Sequence, residues 1–295
     1  MSGGRTPSPP PGPRADRNAR VLGLEGVARL RAAHVVVLGL GGVGSFTAEA
    51  LARAGVGRLT LVDGERVDET NANRQLHALD GEFGRWKAEV VAERLRRAAP
   101  DAVIEAACVP YGPETADRLV PAGVSYVVDA IDTVVAKLHV VARCLDLGIP
   151  VVTSLGAARR VDPTAVQVTD LSETHTDQLA KDVRKYLRRR HAISATAPLG
   201  VKAVWSVEEP RETLSLPGDE GGIPGTRPRP AGERRRDPKC YGSVAFVTGT
   251  FGLVAAGVVV QDLAGVAPRT PRVLSDAEQA RRRKRAISRG TRRDG

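Results

Sequence analysis

Three glycines set the first chemical constraint on this chain. Gly39, Gly41 and Gly44 keep a G-x-G-x-x-G spacing within residues 35–45, VVVLGLGGVGS. Glycines so spaced let the backbone turn tightly and face phosphate oxygens with the amides of a helix N-terminus. Asp63 follows at about the remove, roughly 20 residues, at which an acid bonds ribose hydroxyls in dinucleotide folds. These features serve NAD and ATP equally. The next segment separates them. Residues 69–77, ETNANRQLH, gather Asn71, Asn73, Arg74 and Gln75 in one loop, and Lys87 opens the run after it. Arginine offers phosphate a planar fork and lysine a point charge, which suits a triphosphate. A hydride-transfer cofactor does not require that density of donors. Taken singly, each of these residues reads as part of a solvated loop; the set reads as a phosphate site.

The elements that position them follow from the apolar pattern. The β-branched run 35–38 predicts a buried strand, and helical spacing resumes over 48–53. Residues 58–63, RLTLVD, predict a second strand ending in the carboxylate, residues 88–98 a long helix that Lys87 opens, and residues 125–128 a further strand. A short helix is expected within 14–31 and a basic helix over 181–190. The most apolar run, 244–260, has 17 residues, the lower limit for a membrane span. Its Gly249, Gly252 and Gly257 suit tight helix packing, so a buried or interface helix is preferred, with membrane association left open.

Composition narrows the class. With 295 residues the chain can bury a large core, and one α/β domain is expected over 14–275. Residues 1–13 read as a disordered leader, 209–238 as a mobile loop or disordered insertion, and 276–295 as a basic disordered tail able to bind RNA or anionic lipid. The net charge of +10 favours an anionic partner. Cys108, Cys144 and Cys240 form no C-x-x-C pair, which disfavours a disulfide framework or a four-cysteine zinc site and fits a reducing cytoplasm.

The ordered set Gly39-x-Gly41-Gly42-Val43-Gly44-Ser45, Asp63, Thr70-Asn71-x-Asn73-Arg74-Gln75, Lys87 and Asp129-Ala130-Ile131-Asp132 resembles the adenylating enzymes of the ubiquitin-activating superfamily. The resemblance implies an α/β, Rossmann-like, mostly parallel sheet with an ATP site and a C-terminal α+β extension. It implies that Asp63 holds the ribose, that Asn71, Arg74 and Lys87 contact phosphates, and that Asp132 sits near Mg2+, with Asp129 structural. It further implies a homodimer in which an N-terminal arginine reaches the partner's ATP. Arg20 is the nearest match, with Arg14 and Arg17 as rivals. A monovalent cation is compatible with it.

Branches that load carrier proteins usually add a reactive cysteine, but residues 153–204 contain none, and Cys240 reads as inert. The downstream run 149–171, IPVVTSLGAARRVDPTAVQVTDL, instead resembles the tRNA threonylcarbamoyladenosine dehydratases. So do residues 174–187, the stretch Val204-Trp205-Ser206-x-Glu208, and residues 240–260. That resemblance implies ATP-dependent closure of a ring on the adenosine beside the anticodon, with the tRNA anticodon stem-loop as partner. A sulphur-transfer partner protein is compatible with it. The chain departs from that family at Ala157-Ala158-Arg159, where a second glycine pair is usual, and Arg159-Arg160 adds charge. The alternatives are an activator of a ubiquitin-like or sulphur-carrier protein and, more distantly, a dinucleotide-binding oxidoreductase.

Overall fold

The computed structural model describes residues 12–194, 196–214 and 241–267. Most of the expected leader, most of the 209–238 loop, Cys240 and the basic tail lie outside the described residues. A seven-stranded sheet in the order β3-β2-β1-β4-β5-β7-β6 organises the chain. Its strands are β1 (His34–Leu38), β2 (Arg58–Val62), β3 (Val103–Ala107), β4 (Tyr126–Asp129), β5 (Val151–Ser154), β6 (Val166–Asp170) and β7 (Lys202–Ser206). All pairings are parallel except β6 with β7. The C-terminal extension therefore continues the same sheet, closing it with an antiparallel edge.

The helices are α1 (Asp16–Ala32), α2 (Gly44–Ala54), α3 (Lys87–Ala98), α4 (Ala116–Leu119), α5 (Val134–Leu147), α6 (Gln178–Arg190) and α7 (Ala245–Ala264). Consecutive residues of β1 serve opposite faces: Val35 and Val37 join one apolar cluster, Val36 and Leu38 the other. A near-continuous β-branched run is what a parallel strand covered on both faces requires. The expected short helix near the N-terminus is longer than the pattern showed, because α1 runs through Gly23 across a kink at φ +75°.

Helix α7 is long and apolar enough to cross a membrane by length and composition, and half of its most apolar window is buried inside the fold. Its glycines explain the packing. A Cβ on Gly252 would stand 2.4 Å from the Val43 carbonyl oxygen, so α7 lies directly against the start of α2. Thr47 Oγ1 donates to the Gly252 carbonyl at 3.0 Å. At its other end Asp262 accepts from Tyr126 Oη at 2.8 Å and pairs with Lys202 at 2.6 Å. The buried-helix expectation thus describes one face of α7, while Phe246 and Leu253 on another face are exposed.

Candidate functional site

Strand order reverses between β1 and β4, and ligands of open parallel sheets bind outside the carboxyl ends of strands at such a point. A cavity of about 900 Å³ opens there. Gly39, Gly41, Gly42, Val43, Asp63, Asn71, Arg74, Gln75, Lys87 and Asp132 all line it. They arrive from the ends of β1, β2 and β4, from the 69–77 loop and from the first residue of α3.

The glycine turn is built by backbone contact. Gly39 has φ +82°, and a Cβ there would meet the Ala130 carbonyl at 2.7 Å. A Cβ on Gly44 would come within 1.8 Å of the Gly39 carbonyl, so the turn closes only with a hydrogen at that position. Gly44 is therefore the hinge of the turn and the first residue of α2; it is not among the cavity-lining residues. The amides of Gly41, Gly42 and Val43 donate to no described acceptor, beside the N-terminus of α2. That is an anion cradle.

Asp63 anchors the turn. Its carboxylate accepts from Leu40 N at 2.7 Å and from Glu65 N at 2.8 Å. Burial pushes its pKa up, and the Lys87 charge and those two amides hold it back only in part. Lys87 is nearly fully buried and pairs at 2.5 Å with Glu65, whose own side chain is exposed. Arg74 donates from Nη1 to the Thr70 carbonyl and to Asn73 Oδ1, both at 2.8 Å, and forms no ion pair with a described carboxylate. Gln75 Oε1 is buried without a partner among the described residues. Unclaimed amides and an uncompensated guanidinium in one wall fit a nucleotide polyphosphate.

Three expected site residues stand elsewhere. Asn73 does not line the cavity. Its Nδ2 donates to the Ser243 carbonyl at 2.8 Å, so it tethers the approach to α7 while steadying Arg74. Gly44 shapes the turn from behind. Arg20 is 68% exposed on α1, pairs with Asp16 of its own helix at 2.9 Å, and does not line this chain's cavity. Neither do its rivals Arg14 and Arg17.

Asp132 sits on the wall within the loop that follows β4. No group of three or more metal-ligating side chains occurs among the described residues. A site with one carboxylate suits Mg2+, which is commonly held by one or two carboxylates together with substrate phosphates. The loop carrying Asp132 is pinned from below. Asp129 Oδ1 accepts from Ile131 N at 3.1 Å, and Asp129 Oδ2 takes Lys137 Nζ at 2.6 Å. Lys137 also donates to Thr153 Oγ1 and the Ser154 carbonyl, at 3.2 and 2.8 Å, with both members of the ion pair wholly buried. Sequence reasoning missed Lys137; a single lysine inside the apolar run 134–142 was the available signal.

Beyond Asp132 the cavity continues between the loop after β5 and the start of α6. Asp177 caps α6 by accepting from Ala180 N at 2.9 Å and ties in Gly156 N at 2.8 Å. Arg160, 2% exposed, donates to the Gly156 carbonyl at 2.9 Å and lies 3.7 Å from Asp177. These contacts join segments 21 residues apart, a pairing no local motif announces. Among the described thiols, Cys144 is fully buried with its pKa pushed up to about 12, and burial also raises Cys108. Neither is poised as a nucleophile.

Comparison with known proteins shows what the chain is similar to. The ThiF family matches residues 15–290. The chain is 41% identical over 252 residues to the tRNA threonylcarbamoyladenosine dehydratase of Bacillus subtilis, covering 84% of this chain and 93% of that protein. It is 38% identical to the Escherichia coli protein of the same name, over 85% of this chain and 93% of that one. A crystal structure of the E. coli tRNA N6-threonylcarbamoyladenosine dehydratase in complex with ATP superposes with a TM-score of 0.72 at 37% identity, covering 85% and 94% of the two chains.

Proposed function

This chain belongs to the ThiF family, and from that premise we propose that it is an ATP-dependent tRNA-modifying enzyme that dehydrates threonylcarbamoyladenosine next to the anticodon. One observation carries the reading. A single cavity runs from the glycine turn to the basic loop after β5, so an ATP site and a site for a second, anionic substrate adjoin. Relatives named for this reaction match over most of the chain.

The chemistry follows from what the walls offer. A carboxylate oxygen of the threonylcarbamoyl group attacks the α-phosphorus of ATP, and the bond to pyrophosphate breaks. Arg74, Lys87 and the amides of residues 41–43 hold the phosphates and meet the negative charge that develops there. The Asp63 side chain accepts from the ribose hydroxyls. Asp132 would hold Mg2+, which supplies charge neutralisation for the phosphates when bound. A nitrogen of the same modification then attacks the activated acyl carbon, AMP leaves, and a proton is released. The net change is loss of one water. Both reacting groups belong to one nucleotide, so positioning supplies much of the rate and no enzyme nucleophile is required.

A homodimer completes the site in this reading, with Arg20 of one copy reaching the other's ATP. The exposed Val21 and Leu24 beside Arg20 support it, as do Phe246 and Leu253 on the adjoining α7. The enzyme works in the cytoplasm, where tRNA and ATP are at hand.

The test is mass spectrometry of nucleosides from tRNA bearing the linear modification, after incubation with enzyme and ATP. Loss of one water, absent without ATP and abolished in Asp132→Ala, is the expected result. Cys240→Ser keeps turnover. ATP–pyrophosphate exchange that appears only when a small carrier protein is added would overturn the reading in favour of carrier activation.

A further inference from the structure

Arg159 stands out at the mouth of the cavity. It is one of three described non-glycine residues with positive φ, at +61°. Backbone in that region is strained for any side chain with a Cβ, and such strain collects at ligand clamps. The strain is held in place from both sides. Arg159 N donates to the Gly242 carbonyl at 2.8 Å, and the Arg159 carbonyl accepts from Arg211 N at 2.8 Å. One residue thus joins the loop after β5, the segment after β7 and the approach to α7.

The side chain that this backbone presents is a cation with no carboxylate partner among the described residues. The guanidinium lies over the Tyr241 ring, 4.6 Å from its centroid, and both residues line the cavity. Two acids of the same loop cluster are engaged elsewhere. Asp177 faces Arg160, and Glu208 accepts from Val161 N and Asp162 N at 3.0 and 2.9 Å. A guanidinium stacked on one face keeps its in-plane N–H fork for an oxyanion. Tyr241 is 44% exposed, so the pair sits at the rim, whereas the buried Lys87 lies at the phosphate end.

We propose that Arg159, shelved on Tyr241, is a binding residue for a backbone phosphate of the tRNA, beside the nucleotide held in the cavity. This rests on the tRNA-modifying reading above. The rim position selects phosphate over the threonylcarbamoyl carboxylate, because that carboxylate must travel inward to the α-phosphate of ATP. Anchoring the adjoining phosphate fixes the register of the strand without reading its sequence.

Arg159→Gly is the decisive variant, since glycine removes the guanidinium and accepts the backbone angle without strain. Equilibrium binding is measured across a salt series with two RNAs, a tRNA carrying the threonylcarbamoyl group and the same tRNA unmodified. The expected loss is about tenfold in Kd for both RNAs, with the slope of log K against log salt shallower by about one. ATP affinity of the same protein is unchanged. Arg159→Lys keeps the charge without the stacked fork, and recovers the slope but not the full affinity. Unchanged affinity and slope in Arg159→Gly would overturn the proposal. A loss confined to the modified tRNA would also overturn it, placing the guanidinium on the carboxylate. Failure of the parent reading shows separately, as wild-type protein that binds tRNA yet removes no water from the nucleoside.

Discussion

The two ends of the cavity solve the same problem, holding backbone where a ligand must approach, by different means. At the nucleotide end the positive-φ position is a glycine, Gly39, and the fit is backbone against backbone with nothing to adjust. In the loop after β5 and at the two ends of α6, three non-glycine residues, Arg159, Thr176 and Ala192, take positive φ instead, the first two of them lining the cavity. Side-chain networks such as Arg160–Asp177–Gly156 hold that half. The lesson is one of tolerance. The first end admits no side chain at Gly39 or Gly44, and the second carries strain that its tertiary contacts sustain.

The sharpest way to break this contrast is Gly44→Ala. One methyl group would stand 1.8 Å from the Gly39 carbonyl, so the turn must open. ATP affinity should fall by roughly a hundredfold or more by calorimetry, an effect of about 3 kcal/mol or above. Retained binding would mean that the turn is far softer than its geometry implies. Lys137→Met comes next. It leaves Asp129 buried without its cation, which costs about 3–5 kcal/mol for a broken buried pair. Urea unfolding should show that loss, and Asp129→Asn in the same chain should restore part of it. Because the pair ties the loop after β4 to Thr153 and Ser154, it is the link between the two ends.

What could be read from the sequence divides along the same line. The strand 35–38, the glycine spacing, Asp63 and the donors of 71–75 are local signals, and the sheet order brings most of them to one wall. Asn73 departs because a polar loop residue is equally suited to bonding protein, and here it bonds Ser243. Asp177, Arg160 and Tyr241 acquire their places only when α6 and α7 dock on the sheet. Arg20 illustrates the limit in another way: an arginine expected to act on a second copy has no mark of that role within one chain. The 244–260 run was ambiguous because apolarity alone does not distinguish a partner helix from lipid; Gly252 against Val43 resolves the packing of one face.

The nucleotide end also carries a pH sensitivity of its own. His77 is 1% exposed, and neither ring nitrogen has a described partner. Burial first, then the charges of Lys87 and Arg94, hold its pKa at about 4. An unfolded histidine titrates near 6.5, so between that value and about 4 the unfolded chain binds the extra proton. The stabilising contribution of the neutral ring is therefore complete above pH 6.5. It is lost progressively as pH falls to about 4, on the order of 3 kcal/mol in all. His77→Gln should flatten the acid limb of stability against pH by that amount. Parallel curves for the two proteins would show that the surroundings of His77 tolerate charge.

The smallest expected effect probes the strained half without touching a ligand. Ala192 follows α6 at φ +53°, and the Ile193 amide reaches back to the Arg188 carbonyl at 3.1 Å. That is the bond of a helix terminus whose αL position favours glycine. Ala192→Gly should stabilise by about 0.5–1 kcal/mol, a rise in Tm of roughly 1–4 °C for a domain of this size. Relief at Ala192 with no change in tRNA binding, set beside loss of binding in Arg159→Gly, would separate strain that merely ends a helix from strain that presents a side chain. If both variants only stabilise, the positive-φ residues of this half are incidental. The contrast between the two ends then reduces to the glycine turn alone.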